Sequence, residues 1–117
     1  MTEPSTPSQQ ITAHVTHWPG VTAGVGRRGE FAFKVGGQEI GHLHGDHAAH
    51  FGFPKDVWAA LVEQGRIVEH PVFPGRAGPG ARRIEEQADV EDVIALLRLN
   101  YERLVARHGV PAEKAPA

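Results

Sequence analysis

The stretch FAFKVGGQEIGHLH, residues 31–44, decides the fold. Phe31, Phe33 and Val35 alternate with Ala32 and Lys34, the period-two spacing of a strand with one buried face. Gly36-Gly37 supplies the positive φ angles of a tight hairpin turn. Residues 38–44 then run back as the partner strand. Side chains two apart on a strand share a face, so Ile40, His42 and His44 are expected on one side, with Glu39 and Leu43 on the other.

Working outward from this hairpin, Trp18-Pro19-Gly20 marks a turn ahead of a short strand at 21–25, and Arg27-Arg28-Gly29 marks the next turn. Residues 47–53 read as a third strand after the hairpin. Pro54 suits the first turn of a helix whose stripe is Val57, Trp58, Leu61 and Val62 and whose C-terminal glycine is Gly65. A strand over 67–73, an irregular Gly/Pro loop over 74–80 and a brief strand over 81–84 follow. Asp89 is expected to cap a long final helix carrying Val90, Val93, Ile94, Leu97, Tyr101 and Leu104 at helical spacing, with Arg98, Arg103 and Arg107 toward its negative end. The fold class is therefore α+β, a single curved antiparallel β-sheet packed with two α-helices. Residues 1–10 and 110–117 have little large apolar side chain to bury and read as disordered tails around one domain at 11–109.

Composition removes several kinds of chemistry. The 117-residue chain has no cysteine, and its only serines are Ser5 and Ser8, so thiolate ligands, iron–sulfur clusters and a serine nucleophile are excluded or nearly so. A net charge of −2 lacks the basic footprint of nucleic-acid binding. No apolar run reaches membrane-spanning length and no signal peptide is evident, so a cytoplasmic location is expected, without membrane or nucleic-acid partners. Arg27-Arg28 and Arg82-Arg83 read as solvated basic pairs rather than an anion site.

What remains is histidine, at eight positions. His42, His44, His47 and His50 fall within nine residues, and His70 follows the first predicted helix. Packing several imidazoles together is unfavourable unless they share a task. His14, His17 and His108 lie near the ends and read as incidental. The cluster is open to three readings. It can hold a divalent metal on His42, His44 and His50 or His70, with an oxygen ligand from Asp46 or Glu39. It can act without metal, as general base and oxyanion donor toward a small enolic or phenolic molecule. Or it can close the sheet end as a neutral structural network. Asp46 could orient an imidazole.

Glu39-Ile40-Gly41-His42-Leu43-His44, then His50, then Gly65 followed by His70-Pro71, then an acidic helix start running to Leu97-Arg98-Leu99-Asn100-Tyr101, resembles the luciferase domain shared by fungal luciferases and many short bacterial proteins. The resemblance covers roughly residues 18–107. It implies oxidation of a hydroxylated, enolic organic molecule by oxygen and carries over Glu39, His42, His44, His50, His70 and Asp46; of these, Glu39, His42, His44 and His70 are expected in catalysis and His50 and Asp46 in substrate binding. It implies no organic cofactor, a divalent metal ion being the one candidate. The chain departs from the fungal enzymes in having no membrane anchor, a shorter His44–His50 spacing, and Gly78-Pro79-Gly80-Ala81-Arg82-Arg83 where many relatives carry a Gly-Trp strand. Light emission is not expected. The alternatives are a non-enzymatic metal- or ligand-binding module and a double-wing-like nucleic-acid binder.

Overall fold

The hairpin at residues 31–44 forms the middle of the sheet. A computed structural model describes residues 5–26 and 29–110, in the order α1 (Pro7–Val15), β1 (Val21–Val25), β2 (Phe31–Val35), β3 (Gln38–His44), β4 (Ala48–Gly52), α2 (Lys55–Glu63), β5 (Val68–Glu69), β6 (Pro79–Arg83) and α3 (Gln87–His108). The strands make an open antiparallel sheet in the order β1-β2-β3-β4-β6-β5, with β6 inserted between β4 and β5. The α+β class holds. No helix among the described residues is long and apolar enough to cross a membrane.

Three helices are present among the described residues where two were expected. The third is α1, which converts residues 7–10 of the supposed tail into helix and buries Ile11 and Val15 completely. Its start is a capping box: the Thr6 hydroxyl accepts from the Gln9 N–H at 3.2 Å while the Gln9 side chain accepts from the Thr6 N–H at 3.0 Å. The parts of both tails at 1–4 and 111–117, and the Arg27-Arg28 turn, lie outside the described residues.

Two further boundaries differ from expectation. The strand foreseen over 67–73 is only Val68–Glu69, because Pro71 and Pro74 have no N–H to continue a ladder and the chain folds into turns instead. The long helix starts at Gln87 rather than after Asp89. Asp89 sits inside the first turn, where one carboxylate oxygen accepts from the N–H groups of Glu85 and Glu86 at 2.9 Å each. The Arg82 guanidinium bonds the other oxygen, and together these hold the Asp89 carboxyl down at about 2. Arg82 also meets Asp92, which pairs with Arg66, so Arg82 belongs to an ion-pair network fastening β6 to α3 rather than to a solvated basic pair.

The core lies between the sheet and the helices. Phe33, Val35, Leu43, Ala49 and Phe51 from the strands pack with Ile11, Val15, Val93, Leu96 and Leu97 from α1 and α3. Close approach of α3 requires Gly41, since a β-carbon there would lie 2.5 Å from Leu97 Cδ2 and 3.1 Å from the His50 carbonyl oxygen.

The pairing of β2 with β3 contains an irregularity that reorders the faces. Phe33 pairs with Gly41 and Lys34 with Glu39, leaving Ile40 as an extra residue, a β-bulge. Ile40 thereby joins Leu43 in the core, fully buried, and Glu39 moves to the histidine side. The strict alternation expected from sequence is corrected here: Ile40 does not share a face with His42, and Glu39 does. Asn100 of α3 fixes the bulge, its side-chain N–H₂ donating to the carbonyls of Ile40 and Gly52 at 3.0 Å each. Arg103 donates to the Asn100 side-chain oxygen through Nε at 3.0 Å and Nη2 at 2.7 Å, which sets the amide orientation.

Replacing Asn100 with alanine leaves the buried Ile40 carbonyl and the part-buried Gly52 carbonyl without this donor. The expected loss is about 2–3 kcal/mol of unfolding free energy, read from denaturant titration. A loss well under 1 kcal/mol would show that the bulge holds itself without Asn100.

Candidate functional site

The register brings together one row of side chains across the whole sheet. Gly24 pairs with Ala32, Ala32 with His42, His42 with His50, His50 with Ala81 and Ala81 with Val68. His44 lies two residues from His42, and His70 two residues beyond Val68, so both belong to the same side. Small side chains at Gly24, Ala32 and Ala81 flank the two central imidazoles. β4 and β5 are separated by β6, roughly 10 Å apart at ordinary strand spacing, and the rings of His50 and His70 meet over it.

Four imidazoles form one cluster. Ring centroids lie 5.0 Å apart for His42–His44, 5.2 Å for His42–His50, 4.2 Å for His44–His50 and 4.2 Å for His50–His70. One ring nitrogen from each of His42, His44 and His50 can be chosen so that all lie within 4.8 Å of one another. Of the candidate residues, Glu39, His42, His44, His50 and His70 are thus assembled. Asp46 is not a partner of these rings: its carboxylate accepts from the Ser8 N–H at 2.9 Å, at the start of α1. Hydrogen bonds from the Ser8 side chain and backbone lower the Asp46 pKa. His47 is exposed and outside the cluster.

Hydrogen bonds assign protons within the cluster. Glu39 Oε2 lies 2.9 Å from His42 Nδ1, which places a hydrogen on Nδ1; in the neutral tautomer Nε2 then carries the lone pair. His70 is the converse. Its Nδ1 accepts from the Val72 N–H at 3.1 Å, which places the neutral ring's proton on Nε2. The cluster therefore combines an acceptor-type and a donor-type imidazole.

His50 is the buried member, 8% exposed, and its Nδ1 has no hydrogen-bond partner among the described residues. Burial, followed by repulsion from His44, His70 and His42, lowers its pKa to about 4. At neutral pH this ring is uncharged.

An apolar hollow of about 590 Å³ lies elsewhere, lined by Ala13 of α1, Val25, Phe31 and Leu43 among others. Leu43 points into the core, away from its neighbours His42 and His44, so this hollow and the histidines occupy opposite faces of β3.

The family model for the luciferase domain matches residues 37–100, more than half of the chain and all of the assembled site residues. The chain belongs to the luciferase domain family. No curated protein and no solved structure matches it. The luciferase-domain match runs from the β2–β3 turn to Asn100, so it includes both the bulge and the amide that holds it.

Asn100 and Arg103 were not singled out as site residues from the sequence. Asn100 stands among apolar helix positions, and a polar residue predicted to face a core was the available signal.

The low pKa of His50 has a defined consequence for stability. The unfolded ring binds a proton below about pH 6.5, the folded ring only near 4, so stability is full above 6.5 and falls between these values. In chelator-treated buffer the unfolding free energy is expected to drop by about 2 kcal/mol between pH 7 and 4.5, and His50→Asn to remove most of that slope. Equal slopes in the two proteins would contradict burial of a neutral ring.

Proposed function

We propose that this luciferase domain holds a divalent transition metal on His42, His44 and His50 and binds a small enolic or phenolic molecule beside it, which it presents to oxygen as the oxyanion. The observation that carries the reading is the convergence of three imidazoles, one of them a buried ring with an unpartnered nitrogen. Leaving such a nitrogen unbonded costs about 1–3 kcal/mol. Imidazole nitrogens of this kind would suit zinc, iron, nickel or copper.

A bound metal of this kind would act as a Lewis acid toward the ligand's oxygen. The chain's own residues do the rest. Glu39 holds His42 in the tautomer that offers Nε2. His70 donates its Nε2–H to the oxygen on which negative charge develops. Burial keeps His50 neutral and hence able to donate an electron pair.

A second, metal-free reading is favoured by the Glu39–His42 pair itself, a carboxylate-oriented imidazole of the type used as a general base. In it His42, or His44 beside it, removes the enol proton directly.

Cobalt(II) titration of untagged protein separates the two. The metal reading expects one equivalent per chain with the absorption bands of a nitrogen-ligated ion, and a loss of affinity of roughly a hundredfold or more in the His42→Ala/His44→Ala double variant. Both positions are on the solvent side of the sheet, so the fold should survive, as circular dichroism would verify. Absence of binding in the wild type at micromolar cobalt, alongside enol-dependent oxygen uptake, would transfer the conclusion to the metal-free base. Metal binding without oxygen uptake would leave a non-enzymatic metal module.

A further inference from the structure

The turn after β5 places a ring and a positive charge next to the histidine cluster. Phe73 lies 5.2 Å from the His70 ring, and the Arg76 guanidinium carbon lies 5.7 Å from the Phe73 ring centroid. Phe73 is 37% exposed and its neighbour Val72 is 64% exposed, unlike the other phenylalanines, which pack in or against the core. Arg76 forms no salt bridge among the described residues.

Hydrogen bonds within the segment order this arrangement internally. The Phe73 N–H donates to the His70 carbonyl at 2.9 Å, and the Arg76 N–H donates to the Phe73 carbonyl at 3.2 Å. The Gly75 N–H donates to the Glu69 carboxylate at 3.0 Å, closing the turn onto β5. Pro71 and Pro74 restrict φ on either side of the ring. An aromatic face on a preorganised turn is a stacking platform for a flat molecule. A guanidinium without a carboxylate partner is a fork for an anionic group.

We propose that the 70–76 turn selects the ligand of the histidine face, Phe73 stacking on a planar ring and Arg76 pairing with a carboxylate, so that the ligand is a flat enolic or phenolic acid rather than a neutral compound. This rests on the reading above that the face binds an enolic or phenolic oxygen. It adds a second anchor at a distance from that oxygen, which fixes orientation as well as affinity.

The test uses two probes with the same ring and phenol, 2-hydroxybenzoate and 2-hydroxybenzyl alcohol, titrated into the full chain while the histidine ring resonances are followed by NMR. Wild type is expected to bind the benzoate about tenfold more tightly than the alcohol, with the His70 resonances moving in both cases. Arg76→Gln should erase that preference and leave the alcohol unchanged, and Phe73→Leu should weaken both probes several-fold. Equal affinities in wild type, or a preference that survives Arg76→Gln, overturns the role of Arg76 while leaving the histidine face as a ligand site. If neither probe moves the histidine resonances at millimolar concentration, both this inference and the ligand half of the functional reading are overturned, whereas cobalt binding would still stand.

Discussion

Two hydrogen bonds from one buried amide, Asn100 to the carbonyls of Ile40 and Gly52, tie the long helix to the sheet where β3 carries its extra residue. The site depends on that extra residue. With regular alternation, Glu39 would point toward Leu43 and the core, a carboxylate without a cation in an apolar layer, and Ile40 would occupy solvent beside the imidazoles. Insertion of one residue resolves both conflicts, burying Ile40 and setting Glu39 against His42. The bulge and its clamp belong to the same matched region, so scaffold and chemistry are joined through three residues, Glu39, Ile40 and Asn100.

The sheet also shows how an unfavourable cluster is tolerated. Burial holds the His50 pKa down, and repulsion from the neighbouring rings of His44, His70 and His42 adds to it. The rings need room as well. Ala81 on β6, between His50 and the β5 end that carries His70, supplies it, where a larger side chain would stand between those two rings. Asp89 and Asp92 of α3 pair with Arg82 and Arg66, while Glu39 bonds the His42 ring.

Much of this was legible in the residues. The hairpin, the strand at 21–25, the two later helices and the grouping of His42, His44, His50 and His70 follow from period, turn glycines and residue type. The bulge did not, because its cause lies sixty positions away on another element. The capping box at Thr6 and Gln9, with Pro7 between them, was a readable signal obscured by the polar composition around it. Asp46 shows the opposite difficulty: proximity in sequence to His44 suggested a shared task, whereas the chain turns at Gly45 and the carboxylate serves α1. The overlong strand at 67–73 came from weighting Val and Phe above the two prolines between and after them.

The four rings are not anchored equally. His42, His44 and His50 stand on β3 and β4 in the interior of the sheet, each strand bonded on both sides. His70 follows β5, a two-residue edge strand paired with β6 alone, both of whose residues are exposed. Fluctuations that detach such a border segment require far less free energy than global unfolding. Three imidazoles thus rest on the interior of the sheet and the fourth on its border, where backbone pairing is thinnest.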